Sequence, residues 1–226
     1  GVQEGVLAIA VCFLHSYANP ENERRAAARI AELAPRLEVS ASAEVVPQAN
    51  EYFRFSTTAL NAAVMPVVAG YLSAVERRLG EQAITAPLYV MQSSGGFLPS
   101  PQMRRLPCRM IESGPAAGVV ASAYLAGRLG LERLLTLDMG GTTAKASLIA
   151  DGRVSVSEDY EVGGLAAPGT GARKAAGYPL MVPVIDLVEI GAGGGTIAWV
   201  DPGGALRVGP QSAGADPGPA CYGAGG

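Results

Sequence analysis

The hydrophobic pattern of this chain changes character midway. Gly5–Leu14 (GVLAIAVCFL) is a continuous apolar run, the pattern of a strand buried on both faces. HSYANPENE follows. Asn19 can cap a helix, Pro20 suits a first helical position, and Glu21 and Glu23 favour the positive helix end, so Glu21–Leu33 is predicted helical, stopping near Pro35. Leu37–Val46 alternates and predicts a half-exposed strand. Asn50–Gln82 is the longest helical pattern, with apolar residues from Phe53 to Leu79 mostly at three- and four-residue steps; Pro66 inside it predicts a kink or a split. Pro87–Gln92 predicts another strand, ending in Ser93-Ser94-Gly95-Gly96. Strands alternating with helices indicate a mostly parallel sheet.

Beyond Arg105 the elements shorten. Pro115–Leu129 (PAAGVVASAYLAGRL) predicts a helix whose small residues admit a neighbouring backbone. Leu134–Ile149 (LLTLDMGGTTAKASLI) predicts a strand–turn–strand hairpin, and Arg153–Glu158, Leu180–Ile190, Thr196–Val200 and Ala205–Val208 predict short strands joined by turns such as Asp201–Gly204. Gly163–Gly177, small and polar, predicts a mobile loop, and no repeat of fixed period is present. The 30 glycines concentrate after residue 113, and this change sets an expected division into 1–105, an α/β end of a first lobe, and 106–226, the start of a second lobe.

Composition narrows the function classes. Apolar content of 49% with 16% charged residues implies a sizeable core rather than disorder. A net charge of −3 without a basic block argues against nucleic acid and anionic membrane surfaces as partners. Cys12, Cys108 and Cys221 form neither a disulfide framework nor a CxxC zinc pattern, which fits a reducing cytoplasm. No uninterrupted apolar segment reaches the roughly 18–20 residues of a membrane span, and no basic n-region marks a signal peptide. The chain starts at Gly1 and stops in GAGG, and reads as a central piece of a longer protein.

The candidate chemistry centres on Asp138-Met139-Gly140-Gly141-Thr142-Thr143. Two glycines let backbone fold around an anion, two threonines add amide and hydroxyl donors, and Asp138 can hold the water ligands of Mg²⁺. The alternative is a strand ending in an ordinary tight turn. Glu112, before Gly114 of ESGPAAG, is either a second carboxylate positioning Mg²⁺ or attacking water, or a solvent-facing residue at a helix start. Lys145 either reaches a phosphate or lies on the surface. Ile190–Ala198 (IGAGGGTIA) is a second glycine cluster. A Rossmann site needs a helix next, and Thr196–Val200 is β-leaning, so Gly193, Gly194 and Gly195 either line the nucleotide or substrate cleft or form a structural bend. Asp186 is a carboxylate within an apolar strand, a candidate metal ligand or general base. His15, the sole histidine, suits a structural hydrogen bond, and neither Cys108 nor Cys221 has a neighbouring base for thiol catalysis.

FLHSYANPENE, MQSSGG, ESGPAAGVVASAYL, LDMGGTTAKASLI, VPVIDLVEIGAGGGTIAWVD and GPQSAGADPGPACYG, in this order, resemble the hydantoinase A / 5-oxoprolinase family, which includes subunits of ATP-dependent acetone and acetophenone carboxylases. The resemblance covers nearly the whole chain; AGGGTIAW and GADPGPACYG are more specific to it than the DxGGT turn. It implies an actin-like ATPase (ribonuclease H-like) fold with a mixed sheet and flanking helices, ATP and Mg²⁺ as cofactors, a small cyclic amide substrate and a B-type partner subunit, with self-association left open. The implied reaction is phosphorylation of a lactam or hydantoin oxygen, after which water opens the ring; the alternatives are a ketone carboxylase subunit and a non-catalytic actin-like module. Gly140–Thr143, Gly114 and Gly193–Gly195 would then bind nucleotide, and Asp138, Glu112 and Asp186 would act in catalysis. Two departures stand out. The family's other DxGGT-type loop has no copy here, leaving half a phosphate clamp, and Val188 occupies a position that is often His in a DxH pattern, which removes that partner from Asp186.

Overall fold

A computed structural model describes residues 5–158, 160–162 and 177–225. In chain order its elements are β1 (Ala8–Val11), α1 (Glu21–Leu33), β2 (Glu38–Ala41), α2 (Ser42–Val45), α3 (Glu51–Glu81), β3 (Tyr89–Met91), β4 (Phe97–Pro99), α4 (Ser100–Arg105) and a 3-10 turn at Pro107–Met110. There follow α5 (Ser113–Leu129), β5 (Leu134–Met139), β6 (Ala144–Ala150), β7 (Arg153–Val154), β8 (Val156–Ser157), β9 (Tyr160–Val162), β10 (Tyr178–Leu180) and β11 (Val184–Ile185). The chain closes with β12 (Val188–Ile190), β13 (Thr196–Val200), β14 (Leu206–Ser212) and a 3-10 turn at Ala220–Tyr222. The expected mobile loop, Gly177 apart, lies outside the described residues.

Two compact units interleave along the chain. The first holds the described residues of Gly1–Ser113 and Ser157–Val184, the second those of Gly114–Val156 and Ile185–Gly226. The sequence pattern led instead to one boundary at 105/106. Nothing local announces the return of the later segment: Leu180, Val182 and Val184 complete a core with Val45, Val46 and Cys108, and the Met181 N–H donates to the Thr57 hydroxyl at 2.8 Å.

In the first unit, β1 and β2 form a parallel ladder with α1 as the crossover. Only Val11 of β1 is buried, so the run is not covered on both faces. α1 spans the predicted Glu21–Leu33; its N-cap is Pro20 rather than Asn19, whose side chain accepts from the Glu21 N–H. The predicted strand Leu37–Val46 breaks after Ala41 into α2. The cause is distant in sequence, because the buried Glu23 carboxylate accepts from the Ser42 hydroxyl at 2.7 Å and the Ala43 N–H at 2.6 Å, anchoring the first turn of α2.

α3 runs unbroken through Pro66. By length and composition it could cross a membrane, yet Arg54, Thr57, Thr58 and Asn61 are fully buried on it. The Asn61 side chain alone joins three segments, donating to Ser40 Oγ and the Arg105 carbonyl and accepting from the Cys108 N–H. A buried amide with such partners marks a core helix of this unit. The expected mostly parallel sheet is not what forms: β3–β4, β5–β6, β6–β7, β9–β10, β12–β6 and β13–β14 are antiparallel. Parallel neighbours need crossovers of about a dozen residues or more, and Gly-rich turns supply hairpins.

In the second unit the strand order is β12-β6-β5, with β7 on the end of β6. Ala116 and Val119 of α5 bury against Ile149 and Ile185, with Leu134 packed alongside. Alternation therefore puts Asp138 and Lys145 on the face that α5 covers farther along, while Leu135, Leu137 and Met139 point the other way and are exposed. No atom outside α5's own backbone lies within 4 Å of where a Cβ would sit at Gly114, Gly118 or Gly127, so among the described residues no close backbone approach is made at these three glycines.

Candidate active site

β5 carries Asp138 to its last but one position, and the turn closes when the Gly140 N–H donates to the Thr143 carbonyl at 2.9 Å. Asp138 is exposed and stands opposite Lys145; Lys145 in turn stands opposite Glu189 on β12. The Lys145 ammonium lies 3.8 Å from the Glu189 carboxylate, with its side chain only 14% exposed. Three charged side chains thus sit abreast on adjacent strands. Lys145 is neither a loose surface lysine nor a lone phosphate ligand, because Glu189 holds it.

The two glycine clusters, some fifty residues apart in sequence, meet here. The Gly194 N–H donates to the Gly140 carbonyl at 3.0 Å, and the Gly195 N–H to the Gly141 carbonyl at 2.8 Å. The approach is so close that a Cβ at Gly193 would fall 2.6 Å from Gly141 C and Thr142 N. Behind this loop, the Gly193 N–H donates to Thr196 Oγ1 at 2.7 Å and the Ala213 N–H to the Gly195 carbonyl at 2.7 Å. The loop at 191–195 is therefore a backbone clamp for the 140–143 turn.

The clamp takes up carbonyl oxygens and leaves donors. Among the described residues the N–H groups of Gly141, Thr142 and Thr143 and the hydroxyls of Thr142 and Thr143 donate to no protein acceptor. A turn with three amide donors, two hydroxyls and a carboxylate at its base has the donor set that phosphate oxygens and a hydrated cation require. The phosphates of a nucleotide fit this donor set; among the described residues no group of three His, Cys, Asp or Glu side chains gathers that could hold a metal ion.

The other candidates are placed differently. Glu112 immediately precedes α5 in the left-handed region (φ 63°), half-buried, and its carboxylate accepts from the Tyr160 hydroxyl at 3.3 Å. It belongs to the first unit, whereas Asp138 and the turn belong to the second. Gly114 is exposed in the first turn of α5. Asp186 is not inside a continuous strand: it lies exposed between β11 and β12. Its carbonyl accepts from Ser147 Oγ at 2.8 Å and its N–H donates to the Ser155 carbonyl at 2.9 Å, which sets it along β6 away from the turn. The His15 N–H donates to Glu51 at 3.0 Å, so the bond involves its backbone. Cys108 is fully buried, and desolvation pushes its thiol up to about 12, which leaves it un-ionised and unsuited to nucleophilic catalysis.

Sequence reasoning missed the Lys145–Glu189 pair and the Tyr160–Glu112 contact. The first was accessible in principle, since both residues sit on β-type runs at positions where alternation points them to one face. The second depends on the return of the later segment to the first unit.

The hydantoinase/oxoprolinase family model matches residues 54–226. An uncharacterised protein of Methanocaldococcus jannaschii is 48% identical over 96% of this chain and 32% of its own length. The caprolactamase alpha subunit of Pseudomonas jessenii is 38% identical over 99% of this chain and 30% of its own. The acetone carboxylase beta subunit of Xanthobacter autotrophicus is 31% identical over 91% and 27%. Among solved structures, ATP-dependent caprolactamase superimposes with a TM-score of 0.77 at 38% identity, covering all of this chain and 31% of that one. Nucleotide-free acetone carboxylase does so with a TM-score of 0.72 at 30% identity, over 94% and 29%. The chain thus spans about a third of the length of these relatives, and it belongs to the hydantoinase/oxoprolinase family.

Proposed function

We propose that the second unit carries one jaw of a phosphate clamp in an ATP-dependent enzyme with an actin-like ATPase fold, and that the whole protein opens a cyclic amide of the hydantoin or 5-oxoproline type. The observation behind this reading is the Gly140–Thr143 turn, clamped from behind by Gly193–Gly195 with its remaining donors unspent. Bound MgATP would supply a phosphoryl group to the amide oxygen, which makes the carbonyl carbon a good electrophile, so that water can add and the ring C–N bond can break with the nitrogen as leaving group. The chain's own residues hold and orient. Gly141, Thr142 and Thr143 donate to phosphate oxygens, Asp138 accepts from the water ligands of Mg²⁺, and Lys145, fixed by Glu189, adds a positive charge beside Asp138. Glu112 orients the attacking water. Asp186, set away from the turn, receives no role in this scheme. A B-type subunit completes the enzyme; the caprolactamase and carboxylase relatives are themselves named as subunits.

The test is ATP turnover by the full-length protein with its B-type subunit, offered hydantoin, 5-oxoproline or caprolactam. Amide-dependent turnover is expected, and Asp138→Asn should lower it by roughly 10²-fold or more. Turnover that depends only on acetone plus bicarbonate would refute the amide reading and favour the carboxylase one, which the likeness to acetone carboxylase keeps in play. Turnover with neither amide nor ketone would point to a non-catalytic actin-like module, and undiminished turnover in Asp138→Asn would remove Asp138 from the proposed site.

A further inference from the structure

The first unit contains a cavity of about 160 Å³ that the phosphate-clamp reading does not use. Arg109, Gln48, Gln92 and Ser94 supply its polar lining, and Val46 and Val182 part of its apolar wall. Every lining residue belongs to the first unit. At roughly 30 Å³ per water, the space holds about five waters or one small organic molecule.

Arg109 makes the cavity more than a packing defect. Its Nε is buried, and among the described residues its guanidinium has no hydrogen bond or ion pair. A buried guanidinium N–H without an acceptor is expensive, and native proteins seldom leave one so. The backbone around Arg109 is nonetheless held firmly. The Ser93 N–H donates to the Arg109 carbonyl at 2.7 Å, and the Ser93 hydroxyl reaches the carbonyls of Arg109 and Ile111. The Arg109 N–H donates to the Leu106 carbonyl at 3.1 Å. Val46 and Val182 are 2% exposed and belong to the core of the unit, so the apolar wall is rigid as well.

We infer that this cavity is a binding subsite for a small monocarboxylate. The guanidinium fork matches the two oxygens of a carboxylate, the primary amides of Gln48 and Gln92 and the Ser94 hydroxyl add uncharged donors, and the apolar wall receives a short aliphatic tail. The volume excludes nucleotides and peptides. The ligand is thus one carboxylate with a few carbons, held by charge at one end and by valine methyls at the other.

Propionate is the probe, propionamide its uncharged isostere, and the full-length protein the sample, read by isothermal calorimetry and ligand-observed NMR. Propionate should bind and propionamide should bind far more weakly. Arg109→Gln should weaken propionate by roughly 10- to 100-fold while leaving MgATP affinity unchanged, which shows that the variant is folded. Arg109→Lys, which keeps a charge and loses the fork, should fall between. If Arg109→Gln does not fold, Ser94→Ala and Gln48→Leu take its place, and a several-fold loss is expected of each. No propionate binding at 100 mM, equal binding of propionamide, or unchanged affinity in the Arg109 variants would overturn the proposal.

Discussion

The two units of this chain are held by opposite means. In the first, a buried cluster of charged and hydroxyl side chains ties segments together. Arg54 and Glu23 are both fully buried; Arg54 donates to Ser42 Oγ at 2.7 Å, Ser42 donates to Glu23 at 2.7 Å, and Arg54 also reaches Ser16 Oγ and the Phe13 carbonyl. In the second, the 140–143 turn is held by the backbone of 193–195, and the contact depends on side chains being absent. One arrangement fails when atoms are removed, the other when atoms are added. This fits their tasks: a charge cluster fixes a scaffold, whereas a backbone clamp fixes a turn and leaves its outward donors for a ligand.

The largest effect should come from Arg54→Met, which keeps the bulk and removes the charge. Ser16 and Ser42 then lose their buried donor and Glu51 its 3.0 Å ion pair with Arg54, while Glu23 stays buried in the same network; breaking a buried charge network from one side typically destabilises by about 3–5 kcal/mol. Denaturant unfolding of the full-length protein measures this. A loss under ~1 kcal/mol would mean that the cluster is no more than a set of ordinary hydrogen bonds.

Gly193→Ala comes next. Its Cβ would lie 2.6 Å from backbone atoms of Gly141 and Thr142, which cannot rotate aside, and overpacking of this kind costs about 1–3 kcal/mol. The loss should fall on MgATP affinity as well as stability, because the turn itself must move. The neighbouring glycines grade the claim. A Cβ at Gly195 would meet Ser212 Oγ at 3.0 Å and the Gly141 carbonyl at 3.1 Å, whereas at Gly194 the nearest atom is 3.8 Å away. Nucleotide titrations should therefore rank Gly193→Ala below Gly195→Ala, and Gly195→Ala below Gly194→Ala. A flat series would dissolve the contrast between the units.

How much of this was legible beforehand follows the same divide. Local devices could be read: the α1 boundaries, α5 within two residues, the turn between β5 and β6, and β13 at its observed ends. Each rests on caps, period or turn residues within a few positions. What could not be read depends on partners far along the chain. α2 replaces the end of a strand because Glu23, on another helix, anchors Ser42 and Ala43. α3 survives Pro66, with Ala62 and Met65 buried before it and Leu72 after it. The two glycine clusters were each visible, but nothing local said that one clamps the other. The predicted strand Leu180–Ile190 likewise breaks at Asp186, an exposed residue between β11 and β12.

The smallest effect concerns acid, and it tests whether side chains hold any part of the second unit. In the turn between β13 and β14, the Asp201 carboxylate accepts from the N–H groups of Ala205 and Gly203 and from Arg207 Nε, the first at 2.9 Å. Those donors, with Ala205 the largest influence, hold its carboxyl below the ordinary aspartate value of 3.8. A depressed folded-state value means that the contribution is present in full above the ordinary range and is lost as pH falls from there towards the folded value. Near neutrality Asp201→Asn should thus weaken the hairpin slightly, and as the pH falls further and further below 3.8 the wild type should approach the variant. Hydrogen exchange of the β13–β14 amides measures both. If the difference between wild type and variant instead grew as the pH fell, the bonds in this turn would not depend on the charge.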